Sequence, residues 1–171
     1  ALEHIRALDE QGMFAHLDGV SLNPYVVNPF RSRKPEVDFI EFIDKVIAHF
    51  AATGRPDYPV YLTEFGFGTE AGELTQARYS SRAAILLASR PTIRLANFFL
   101  LGGDGWGYSY FNSVGTPRPV YPAMAHAFRW LVDCTAAGSV QLTPTLHLAA
   151  FRKGARAGLA VWDTEGESAL Q

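Results

Sequence analysis

The chain has a single cysteine, Cys134, among 171 residues. That count excludes an internal disulfide and a thiolate metal site. With Leu131 and Val132 beside it in an apolar helical pattern, Cys134 reads as a small buried thiol. Long apolar runs are lacking too: the longest apolar stretch free of charge, Leu95 to Leu101, is far shorter than the roughly 20 residues that cross a bilayer. No membrane partner is expected, and the chain reads as soluble. Charge of one sign is also scarce. Fifteen Lys and Arg stand against 17 Asp and Glu, giving a formal net charge of -2 with no Lys/Arg-rich run. Without a basic patch there is no electrostatic footprint for a phosphate backbone, so nucleic acid is not expected as a partner.

Several chemical signatures are missing as well. His4, His16, His49, His126 and His147 are scattered and no H-E-x-x-H occurs, so no metal is expected. Neither G-x-x-x-x-G-K-S/T nor G-x-G-x-x-G is present, and no cofactor is expected. The G-x-S-x-G elbow of the α/β-hydrolases is absent. The N-terminal ALEHIRALDEQG is helical in pattern from its first residue, without an initiator Met or a signal-peptide layout, and is expected to lie inside a longer protein.

What is present is an ordinary globular composition, 48% hydrophobic, 13% aromatic and 19% charged, with enough apolar material for a core. Leu17–Asn23, Val60–Phe65 and Arg94–Leu101 read as buried strands, each short, rich in apolar or β-branched residues and followed by Gly, Pro or Asn. Helical periodicity joins Val37, Ile40, Ile43, Val46, Ile47 and Phe50, until Gly54 and Pro56 end it. Thr75 can cap a second helix through Leu86 and Leu87 that stops before Pro91. A third begins near Pro119, passes Met124, Phe128 and Leu131, and is expected to finish at Gly138. Strands alternating with helices predict an α/β class with a parallel sheet. After Gly138, Leu146–Phe151 and Ala157–Trp162 joined by RKGAR read as an antiparallel hairpin, the start of a β-rich module.

In α/β folds chemistry gathers where strands end. In VYLTEFGFGT, strict alternation puts Val60, Leu62 and Glu64 on one face, with Glu64 the last inward residue. A carboxylate there, flanked by Phe65 and Phe67, loses hydration unless paired; the alternative is an exposed strand-end Glu or half of a buried ion pair. In SLNPY, Ser21, Asn23 and Tyr25 are spaced two apart, which makes Asn23 and Tyr25 candidate donors near Glu64. A phenol donor suits a carboxylate that must stay ionised, since it favours the charged form. Asn23–Pro24 is alternatively ordinary turn chemistry, with Tyr25 packed and its tip in water. The third strand runs into GGDGWGYSYFN, whose glycines let Asp104, Trp106, Tyr108, Tyr110 and Phe111 approach a ligand. Aromatic faces suit sugar rings, and the alternative is that these rings close the core. Glu70 and Glu73 read as solvated loop charges that could rim a cleft.

Taken together, SLNPY, VYLTEFGFGT and the aromatic loop through Trp106 resemble, in this order, the sixth, seventh and eighth strands of the clan A glycoside hydrolases, the four-over-seven superfamily. The resemblance covers roughly residues 15 to 135. It implies a partial (β/α)8 TIM barrel, about strands six to eight with their helices, over residues 1–138. Residues 139–171 then begin an accessory β-sandwich. It implies that Glu64, in its T-E-F-G context, is the catalytic nucleophile, that Tyr25 hydrogen-bonds it, and that Trp106 floors the sugar site, with Asn23 also binding substrate. The implied activity is retaining hydrolysis of O-glycosidic bonds in oligo- or polysaccharides by double displacement, and the implied partner is a carbohydrate. Two departures stand out. Asn23 occupies a position where a His is frequent, and the Asn-Glu pair that carries the acid/base on strand four occurs nowhere in the chain. The acid/base is expected upstream, so these residues alone are expected to be inactive and to need the N-terminal half of the barrel. Family members are often exported to the periplasm or beyond, although these residues carry no address. Two other readings stay open: a non-catalytic carbohydrate-binding relic of the barrel, and another α/β enzyme in which Glu64 is a general base. A long Tyr25–Glu64 distance, or Glu64 facing the helices, favours the latter.

Overall fold

A computed structural model describes residues 2–25, 34–103 and 107–165. Helix α1 (Leu2–Glu10) and a short 3-10 turn (Met13–His16) lead into strand β1 (Val20–Leu22). A π-turn at Pro35–Phe39 runs into α2 (Ile40–Ala52), and then come β2 (Val60–Phe65), α3 (Glu73–Ala88), β3 (Ile93–Phe98) and α4 (Val120–Leu131). The remaining strands are β4 (Thr135–Gln141), β5 (Leu146–Lys153) and β6 (Arg156–Asp163). The molecule is α/β, with a three-stranded parallel sheet in the order β1-β2-β3 and a separate antiparallel sheet in the order β4-β5-β6. The described residues do not close a complete barrel.

The helices form where the apolar spacing calls for them. In α2 the buried residues Ile40, Ile43, Val46 and Phe50 recur at steps of three and four, a stripe along one helix face. Gly54, at φ 83°, ends it, taking a left-handed conformation that costs a glycine little. Helix α3 starts at Glu73 behind Gly72, so Thr75 lies within the first turn and is not its cap.

One core gathers Ile5 of α1, Phe14, the α2 stripe, Val60, Leu62 and Phe65 of β2, and Ala83, Leu86 and Leu87 of α3. All three helices therefore pack on the same face of the parallel sheet. Phe65 is 1% exposed, stacked on Phe39 at 5.0 Å and tilted against Phe98 at 4.4 Å. Burying such a ring is worth about 1.5–3 kcal/mol. On the opposite face Ser21, Asn23, Thr63, Leu95 and Asn97 are exposed. Parallel sheets are normally covered on both faces; the described residues cover this one on one face.

The strand alternation expected for β2 is broken. Val60 and Leu62 face the helices, but the register slips between Leu62 and Phe65, and the helix-facing residue that follows is Phe65. Two residues, Thr63 and Glu64, lie across from the single residue Asn97, as in a β-bulge. Glu64 thus does not share the face of Val60 and Leu62.

The C-terminal part also differs from expectation. Helix α4 ends at Leu131, where Val132 turns extended and Asp133 takes φ 61°. Residues expected to stay helical to Gly138 instead form β4, which pairs antiparallel with β5 and has a register shift between Ala136 and Gly138. The β-rich part therefore begins at Thr135, and β4 straddles position 138. Cys134 lies beyond the helix, half-buried, with its thiol donating to the Trp130 carbonyl at 2.6 Å. The expected hairpin is present, β5 pairing β6 through a tight turn at Gly154–Ala155.

A buried ion pair fastens the antiparallel sheet to the helical layer. Glu36 Oε1 lies 2.8 Å from Arg82 Nε, with the two side chains only 4% and 11% exposed. The same oxygen accepts a 2.8 Å hydrogen bond from Trp162 Nε1 of β6. His147 of β5 stacks on Trp162 at 5.5 Å. Removing Glu36 strands a buried guanidinium and an indole N–H together, so Glu36→Ala is expected to destabilise by about 3–5 kcal/mol. Urea unfolding followed by tryptophan emission checks this, and an unchanged midpoint would show that the junction is held by packing alone.

Candidate functional site

The ends of β1 and β2 bring three sequence-named residues together. In register with Ser21↔Tyr61 and Leu22↔Leu62, Asn23 comes opposite Thr63. The Thr63 hydroxyl donates to Asn23 Oδ1 at 2.7 Å and lies 2.8 Å from Ser21 Oγ. A hydroxyl has one proton, so Ser21 is the donor to Thr63, and a chain Ser21, Thr63, Asn23 crosses the bare sheet face. Beyond it the backbone folds tightly at buried Pro24, with Tyr25 N–H donating to the Asn23 carbonyl at 2.8 Å. That three-residue turn swings Tyr25 over the end of β2, where its hydroxyl donates to Glu64 Oε1 at 2.7 Å. This is a length typical of a charge-assisted bond. Asn23, expected as a donor towards Glu64, instead braces Thr63 through its amide oxygen.

Tyr25 is wedged by aromatic edges. Phe99 meets its ring at 6.4 Å and Tyr108 at 6.0 Å, both nearly perpendicular, an arrangement worth about 0.5–1.5 kcal/mol per pair beyond area burial. Burial, and then the Glu64 carboxylate beside it, push the Tyr25 phenol well above its usual value, so Tyr25 stays a donor across the ordinary pH range. Gly66 lets the segment after Glu64 approach the end of β3: a Cβ there would fall 2.1 Å from the Phe99 carbonyl oxygen. Phe99 N–H donates to the Phe65 carbonyl at 2.6 Å. Glu64, partly exposed, is thereby fixed in backbone and oriented through one oxygen. A carboxylate so held can act as nucleophile or proton acceptor.

The aromatic loop divides. Trp106, named from the sequence as the floor of a sugar site, and Asp104 lie outside the described residues. Tyr108 and Tyr110 are buried, so for these two rings the covering role applies and not ligand approach. Tyr110 belongs to a second cluster with Ala77, Ala84, Val120 and Met124 between α3 and α4. Glu73, expected as a free loop charge, starts α3 and lies 3.3 Å from Arg118 Nε. Arg118 Nη1 in turn donates to the carbonyls of Gly107 and Ser109 at 3.2 and 3.0 Å. Gln76, Phe99 and Arg118 carry no motif that marks them in the sequence as part of the site. Of these, Gln76 left a signal: it is a polar residue on the stripe Gln76, Ala77, Ser80, Ala83, Ala84 and Leu87 that α3 buries.

Among the described residues no group of three or more His, Cys, Asp and Glu side chains is gathered for a metal ion, and no helix is long and apolar enough to cross a membrane. No protein-family model matches the chain, and comparison with curated proteins finds no match.

Buried phenols give the fold a pH signature. Burial raises Tyr25, Tyr58 and Tyr110 above the ordinary value of 10.0. The unfolded chain releases these protons near that value while the native chain holds them, so above it the unfolded state binds fewer protons and stability falls as pH rises. The urea midpoint is expected to drop between about pH 9 and about pH 11, and to drop less in the Tyr25→Phe, Tyr110→Phe double variant. Equal slopes in the two proteins would show that these phenols do not carry the effect.

Proposed function

We propose that this chain is the C-terminal part of the catalytic barrel of a retaining glycoside hydrolase, with Glu64 as nucleophile and Tyr25 as the donor that orients it. The observation that carries the reading is the 2.7 Å hydrogen bond from Tyr25 to Glu64, made between the C-terminal ends of neighbouring parallel strands. Supporting it, strand order follows chain order and α1, α2 and α3 line one face of the sheet. Such winding curls a sheet towards closure, whereas a doubly wound sheet reverses strand order and places helices on both faces. The bare face, polar at Ser21, Asn23, Thr63 and Asn97, is on this reading part of a barrel interior whose other strands lie outside these residues. The antiparallel sheet is the beginning of an appended β-module.

The chemistry follows from one oriented carboxylate. Glu64 attacks the anomeric carbon with a carboxylate oxygen, forming a glycosyl ester while the glycosidic C–O bond breaks. A second carboxyl group gives its proton to the departing oxygen, then takes one from the water that cleaves the ester. Retention requires the two carboxyls to be about 5 Å apart. The second carboxyl belongs, on this reading, to a strand outside these residues. Tyr25 donates to Glu64 at 2.7 Å and holds its carboxylate in one orientation. The substrate class is an oligo- or polysaccharide. A general base in another α/β enzyme is the weaker reading, because the short Tyr25 contact and the turning of Glu64 away from the face of Val60 and Leu62 both disfavour it.

The test uses the full-length parent protein on aryl β-glycosides. Glu64→Ala and Glu64→Gly are expected to lose activity by several orders of magnitude, and added azide is expected to restore turnover with a glycosyl azide as product. Native activity in either variant on a substrate the parent cleaves makes Glu64 a structural residue and ends the assignment.

A further inference from the structure

Gln76 sits in the first turn of α3 and is 0% exposed. Its amide nitrogen donates to three backbone carbonyls: Phe67 at 3.0 Å, Gly107 at 3.1 Å and Tyr108 at 3.1 Å. The orientation of the amide is dictated, since a half-turn would press Oε1 against three carbonyl oxygens. Two N–H groups serve three acceptors, so at least one is shared. Oε1 finds no hydrogen-bond partner among the described residues, a cost of about 1–3 kcal/mol by protein mutational data. An arrangement that leaves one buried acceptor unpaired to satisfy three others places its donors for the sake of what they hold.

What they hold is two loops. Phe67 lies three residues beyond Glu64, and Tyr108 follows the glycine-rich segment after β3. Gly107 is pressed against the first loop from the other side: at φ 82° it leaves no room for a side chain, a Cβ there falling 2.5 Å from Thr69 Oγ1. The Tyr108 ring meets the Tyr25 ring at 6.0 Å, and Tyr25 holds Glu64. A continuous path therefore runs from Gln76 through the Tyr108 backbone and ring to Tyr25 and Glu64. Resting on the glycosidase reading above, we infer that Gln76 is a positioning residue: it clamps the loops after β2 and β3 so that Tyr25 keeps Glu64 aimed at the reacting carbon. It touches no substrate and acts through Tyr25.

A double-mutant cycle in the full-length parent enzyme tests this, with the azide assay of Glu64→Gly run beside it. Gln76→Leu removes the donors and keeps most of the volume. It is expected to lower kcat on an aryl β-glycoside on the order of tenfold to a hundredfold, the effect of a misplacement near 1 Å, with KM changing less than kcat. In a Tyr25→Phe background the same substitution is expected to cost less than about threefold, because the link it acts through is already cut. Equal losses in both backgrounds overturn the proposal and leave Gln76 a packing residue. Should Gln76→Leu fail to fold, Arg118→Met takes its place in the cycle. Arg118, its side chain 17% exposed, holds the carbonyls of Gly107 and Ser109, so its loss loosens the same loop, and the same suppression by Tyr25→Phe is expected. Azide rescue with an additive cycle sinks only the role of Gln76, whereas Glu64→Gly with native activity sinks the glycosidase reading and this inference with it.

Discussion

The site depends on the way β2 commits Val60, Leu62 and Phe65 to the helical layer. Val60 and Leu62 are fully buried, and Phe65 is stacked on Phe39 and tilted against Phe98. A strict two-residue alternation through these positions would send Glu64 into the same apolar layer, where an unpaired carboxylate costs several kcal/mol. The register slip between Leu62 and Phe65 resolves the conflict: one extra residue lets the strand bury Phe65 and still turn Glu64 towards the polar face. Bulges concentrate next to active sites because they re-aim a side chain in this way.

With Glu64 turned, the polar side chains around it fall into a hierarchy. Ser21, Thr63 and Asn23 brace one another across β1 and β2, which ties down the backbone on either side of the turn at Pro24. Tyr25 then reaches Glu64 from a position set by the turn at Pro24 and by the Phe99 and Tyr108 rings, which meet its own ring nearly at right angles. Aromatic edges restrict the phenol without competing for its proton. A polar neighbour in their place would share the donor and weaken the 2.7 Å bond.

Much of this was legible in the sequence, for identifiable reasons. The α2 stripe and the hairpin turn at Gly154 follow from local periodicity and a glycine at a tight bend, signals that involve no distant partner. Glu64 and Tyr25 were nameable because strand ends concentrate chemistry. The bulge was not legible: VYLTEF alternates well enough on paper, and the preference for Phe65 over Glu64 on the helical side is decided by Phe39 and Phe98, which are distant in sequence. Strand β4 was missed because TAAGSVQ has little β-branched or aromatic content; its pairing with β5 and the left-handed Asp133 override that weak local preference. Tyr108 and Tyr110 read as ligand-facing because glycines flank them, but α3 and α4 provide an apolar seam that absorbs Tyr110.

The buried polar side chains share a common logic. Glu36 with Arg82 and Trp162 lies where the antiparallel sheet meets the helices; Gln76 and Arg118 lie where the loops after β2 and β3 meet. Each stands at a junction between segments that have no ladder of hydrogen bonds to align them. Apolar contacts there would supply comparable burial but permit sliding, since hydrophobic attraction is non-directional. A hydrogen-bonded group in a low-dielectric setting is strong when its geometry is met and costly when it is not, so it selects one register among several of similar area. On the proposed reading that selectivity matters most at the Gln76 junction, because a carboxylate that must meet an anomeric carbon tolerates less displacement than a core does.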